Sequence, residues 1–216
     1  MDVVAGAVGL VAGLALGPLA DRLATNTPLH APPLRRVPAS RRLPLVTAAT
    51  GALLGACGLS FGLTLEGLAA ALLCLCLVVL TRTDLEHRLL PDRIVLPGAV
   101  AVLALRTADE PSVEWTLAAL GAALALFLVA LAYPQGLGMG DVKLSLLLGA
   151  GLGLPVVVAF FVGFFLAFVP AAVLLVRHGR AARRKAIPLG PFLTAGAVVA
   201  LFAGEDVLDW YTHLGA

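Results

Sequence analysis

Polar residues along this chain gather in narrow bands, and between the bands run apolar segments, most of them of membrane length. Such runs predict helices, because a backbone crossing hydrocarbon has to satisfy its own N–H and C=O groups within the segment. Eight are delimited: Val3 to Ala20, Leu45 to Leu65, Leu68 to Leu80, Ile94 to Leu105, Trp115 to Tyr133, Leu144 to Leu154, Val156 to Val176 and Leu189 to Phe202. A full crossing takes about 17–25 residues. The fourth run, which contains Pro97, and the sixth are therefore short, and they borrow flanking residues or sit tilted inside protein. Pattern alone leaves open whether these two cross fully. The first run lacks a basic start and carries Asp2, so it reads as a retained helix and not as a signal peptide. The predicted fold is all-α: a polytopic integral membrane helical bundle of about eight transmembrane spans, forming one domain over residues 1–216.

Composition agrees. Of 216 residues, 60% are hydrophobic and 13% charged, with a mean hydropathy of +1.00, against about 25% charged in soluble domains. A net charge of +2 with no basic stripe speaks against a nucleic-acid partner. Cys57, Cys74 and Cys76 all lie in apolar runs without a Cys-x-x-Cys pair, which reads as packing and neither as a zinc site nor as a disulfide framework. The 4 histidines are scattered without metal-ligand spacing. No metal and no cofactor is expected.

Charge placement orients the spans. With the amino terminus outside, the cytoplasmic segments are 21–43, 81–93, 134–143 and 177–188. They hold all but one of the 15 lysines and arginines; the exception is Arg106. Basic residues in short loops stay on the cytoplasmic side, so both termini are expected to be extracytoplasmic. The two strongly basic stretches, 30–43 and 177–187, read as topology signals resting on anionic lipid, or as a docking face for a partner.

Orientation leaves five cytoplasmic acids: Asp21, Asp84, Glu86, Asp92 and Asp141. Two stand at membrane boundaries, Asp84 in "TRTDLEHRLLPDRIVLPG" and Asp141 in "GLGMGDVKL". A carboxylate beside hydrocarbon bears a desolvation cost, so such a group has a partner or a function. Both fall on the same edge of the bilayer, where they can meet. Two converging carboxyls share one proton; one then serves as general base on a water while the other, protonated, polarises a carbonyl. The alternating Gly136, Gly138 and Gly140 offer a bare backbone able to lie close to an extended peptide. The plainer alternatives are that Asp141 caps the sixth helix and that Asp84 pairs with Arg82 or Arg88 on the surface.

The two segments together resemble the type IV prepilin peptidases, or leader peptidases, membrane aspartic proteases of the bacterial inner membrane. The first motif reads here as Asp84, His87, Arg88, Leu90, Pro91 and Asp92, and the second as Gly138, Met139, Gly140, Asp141, Val142 and Lys143. Further matches are "RRLPLVTAATGALLGA" and "IPLGPFLTAGAVVAL". The resemblance implies that Asp84 and Asp141 are the catalytic pair, with Asp92 in the motif but outside the pair. It implies a substrate with a short basic leader ahead of an apolar helix, a prepilin or pilin-like precursor, cut at the cytoplasmic face. Larger members carry two Cys-x-x-Cys pairs after the first span and also methylate the mature amino terminus. The corresponding segment here, 21–43, is short and has no cysteine, which argues against zinc there and lends methylation no support. Lys143 reads as snorkelling to headgroups or as tuning the pair, and His87 as an interfacial loop residue. Two rival classes stay open: a proton-coupled transporter, expected to carry its acids near span centres, and an assembly factor that binds pilins without cutting them. Which pilin is cleaved, and the oligomeric state, are not written in the sequence.

Overall fold

A computed structural model describes residues 2–25, 43–134, 136–178 and 188–214. Residues 26–42 of the predicted loop 21–43, and with them nearly all of the basic stretch 30–43, and residues 179–187 of the basic stretch 177–187 lie outside the described residues. Eight helices account for nearly all of the rest: α1 Asp2–Thr25, α2 Leu43–Phe61, α3 Leu65–His87, α4 Asp92–Asp109, α5 Glu114–Ala132, α6 Met139–Leu152, α7 Val156–His178 and α8 Gly190–Leu214. Six of them, all but α4 and α6, are long and apolar enough to cross a membrane. The chain is a multi-pass helical membrane protein.

Consecutive helices pair through small residues. At Gly9 the backbone of α1 touches the main chain of α2 at Leu54, with no room for a side chain between them. Helices in lipid associate largely through such close van der Waals contact. α3 and α6 occupy the centre: Leu73, Leu77 and Leu80 from one, and Leu144, Leu147 and Leu148 from the other, are fully buried.

Several boundaries differ from those the hydrophobic pattern predicts: α6 begins at Met139, ahead of Asp141, and the largest differences are at the ends of α3 and α8. α3 continues past Leu80 to His87, so Asp84 sits within its last turns and not in a loop after it. α8 continues past Phe202 through Glu205, Asp206 and Asp209 to Leu214. In both places the polar residues extend a helix already nucleated by its apolar part, which a hydropathy boundary cannot register.

The short helices run from one end of the bundle to the other. Where α4 and α6 begin, Asp92 meets Lys143; near where they finish, Arg106 meets Glu66 of α3 and donates to the Gly151 carbonyl. α6, with 14 residues, is only about 21 Å long, against about 30 Å of hydrocarbon. Arg106, the one basic residue on the otherwise acidic side, is explained by burial: its guanidinium lies 4.9 Å from the Trp115 ring centroid and bonds a terminal carbonyl of α6. The cysteines are free, and Cys57 and Cys74, from α2 and α3, approach to 3.6 Å between sulfurs, a neighbourhood that linear spacing does not reveal.

Candidate active site

The site forms where α3 ends and α6 and α8 begin. α3 is stopped by Arg88, which adopts the left-handed conformation at φ 53° and donates its N–H to the Asp84 carbonyl. For a residue with a side chain this geometry costs about 1–2 kcal/mol. Residues 88–91 then reverse the chain, and Pro91 is the N-cap residue of α4.

Asp84 is 6% exposed. Its Oδ2 is buried and forms no hydrogen bond of ordinary geometry among the described residues, with the backbone N–H of Gly190 close enough to interact with the carboxyl. The start of α8 closes over it: a Cβ placed on Gly190 would stand 2.6 Å from that oxygen. The alternative pairing of Asp84 with Arg82 does not form. Arg82 instead donates to Asp21 at 3.3 Å and pairs with Glu86 one turn on. Arg88 lies within electrostatic reach of Asp84.

Asp141 lies in the first turn of α6, half-buried. The N-cap residue is Gly138, and Asp141, three residues on, takes its backbone N–H in a turn where the helix dipole favours an acid, so the capping alternative holds in part. Its carboxyl is pushed up to about 6, first by burial and then by the charge of Asp84, with the Gly138 N–H acting in the opposite direction. The structure thus brings together the two acids that the sequence singles out.

The remaining motif residues are placed around this pair. Gly140 lies against Leu90, where an added Cβ would come 3.2 Å from the Leu90 Cβ, and Leu90 packs on the core. Lys143 Nζ bonds both oxygens of Asp92, at 2.8 and 2.7 Å. His87 is exposed at the end of α3. Gly190 was legible only as part of the quoted stretch "IPLGPFLTAG". Its closeness to Asp84 depends on α8 returning to α3 from more than a hundred residues away, and no local signal announces that.

A buried carboxyl with an unsatisfied oxygen beside a half-buried carboxyl that holds its proton to about 6 is suited to shared-proton chemistry. Among the described residues no group of three or more His, Cys, Asp or Glu is placed to hold a metal ion.

Residues 71–176 match the model of the Type IV leader peptidase family. That span contains both acids. A prepilin leader peptidase/N-methyltransferase of Bacillus subtilis (strain 168) is 32% identical over 176 residues, covering 79% of this chain and 70% of the relative. The protein of the same name from Legionella pneumophila is 33% identical over 185 residues, covering 81% of this chain and 63% of the relative. That from Burkholderia pseudomallei (strain K96243) is 36% identical over 199 residues, covering 83% and 60%. The matched region thus spans 60% to 70% of these relatives' own length. No solved structure matches.

Proposed function

The chain belongs to the Type IV leader peptidase family, and we propose that it is an aspartic endopeptidase that removes the leader from type IV prepilins or pilin-like precursors. The observation that carries this reading is the convergence of Asp84 and Asp141 at one end of the bundle. In the proposed reaction the ionised carboxyl takes a proton from water while the protonated one donates to the scissile carbonyl oxygen. The tetrahedral adduct then collapses: the C–N bond breaks, the proton taken from water passes to the leaving amine, and one hydroxyl of the adduct returns its proton to the other carboxyl, restoring the singly protonated pair. The acid and base roles belong to the pair jointly.

The proposed setting is a bacterial inner membrane with the pair facing the cytoplasm, supported by the segregation of lysine and arginine. The place of Asp84 in the last turns of α3 and of Asp141 in the first turn of α6 supports a cleavage point at the membrane boundary, where a basic leader gives way to an apolar helix. Methyl transfer, which the relatives' names also carry, is left outside this proposal.

Co-expression with a prepilin tests it. Loss of the leader, read as faster gel migration and confirmed by mass, is the expected result, and EDTA should leave the rate unchanged because the proposed proton transfers run through carboxyls. A precursor that stays intact would favour an assembly factor that binds pilins without cutting them.

A further inference from the structure

Asp141 does not hold its own position: the first turn of α6 is gripped from another side. Gly140 and Lys143, three apart and hence on one helix face, meet Leu90 and Asp92 at the turn into α4. Asp141, one and two residues away from them, is carried on a different face, where it is within electrostatic reach of Asp84 of α3. The turn bearing Asp141 is therefore clamped between α4 and α3.

The grip is hard to explain as stabilisation. The Lys143 and Asp92 side chains are 35% and 55% exposed, and an exposed pair contributes only about 0–1 kcal/mol. Geometry is what the pair supplies. Both carboxylate oxygens of Asp92 engage one ammonium, which ties the start of α4 to the start of α6. The load on that tie is specific, because Asp84 and Asp141 repel when ionised and the repulsion drives the first turn of α6 away from α3.

We propose that the Asp92–Lys143 ion pair is a brace that keeps Asp141 within reach of Asp84, making both members positioning residues for cleavage. The inference rests on the peptidase reading above. A merely structural pair predicts lost folding; a brace predicts lost turnover in a folded protein.

The test uses the full chain in detergent or liposomes with a synthetic prepilin peptide spanning the cleavage point. Asp92→Asn and Lys143→Met are each expected to lower kcat about tenfold, with KM within about twofold of the parent, since substrate binding is untouched while the reacting groups lose alignment. Thermal unfolding should shift little, as for an exposed pair. The exchanged variant Asp92→Lys/Lys143→Asp restores the tie with its ends reversed and should recover most of the lost kcat. Single variants that turn over at the parental rate would overturn the brace. So would an exchanged variant that folds yet cleaves no better than the singles. Failure of the parent itself to cleave would remove the peptidase reading, a separate and distinguishable outcome.

Discussion

Asp84→Asn and Asp141→Asn are each expected to reduce leader cleavage on the order of 10⁴-fold, leaving the helical bundle intact. The amide keeps the shape of the side chain and removes the capacity to hold or release the shared proton. Groups that act as one unit lose most of their joint effect when either is disabled, and a 10⁴-fold loss corresponds to about 5.4 kcal/mol of transition-state stabilisation. Stability should not suffer. Asp84 is buried with an unsatisfied oxygen, and Asp141 holds its carboxyl proton to about 6, so removing either ionisable group relieves a desolvation cost. The measurement is single-turnover cleavage of a prepilin peptide alongside thermal unfolding in the same detergent. Either variant processing the precursor at the parental rate would end the two-carboxyl mechanism.

The second large effect is expected at a residue with no side chain. Gly190→Ala introduces a Cβ 2.6 Å from Asp84 Oδ2 and 3.1 Å from its Cγ. One of them has to move. The backbone of α8 is held by packing, Leu193 being fully buried one turn on, whereas the Asp84 carboxyl can rotate about its own bonds. The carboxyl is therefore displaced from Asp141, and a displacement of about 1 Å costs about 10²-fold in rate. The predicted outcome is a folded protein whose kcat falls about a hundredfold with little change in KM. Parental activity in Gly190→Ala would show that α8 does not confine Asp84 as the structure describes. Loss of folding would instead mean that the helix, and not the side chain, gave way.

The parts of this protein written as periodic composition were legible early. Eight apolar runs became eight helices because hydrocarbon leaves the backbone few alternatives. Asp84 and Asp141 stood out because a carboxylate at a membrane boundary calls for an explanation, and the structure places them together. What escaped was pairing across helices. Lys143 looked like a headgroup-seeking lysine because its partner, Asp92, is separated from it by the whole of α4 and α5. Arg106 looked like an exception to the charge pattern because Trp115, Glu66 and the end of α6 converge on it only in the folded bundle. Gly190 carried no recognisable role until α8 was seen to close over Asp84. Helix ends were misjudged where polar residues prolong an apolar helix, as at His87 and beyond Phe202.

The central claim is that the two carboxyls work on one shared proton, and the pH dependence of kcat/KM tests it most directly, because that ratio reports the free enzyme. Asp141 has a raised proton affinity, so the singly protonated pair exists below its value of about 6. It is lost as pH climbs through that point and both groups ionise. On the acid side it is lost when a second proton arrives. The account predicts a bell with its alkaline limb near pH 6, absent from the residual activity of the Asp84→Asn variant. A profile that stays level from acid to alkaline pH, or that only rises across neutrality, would contradict it.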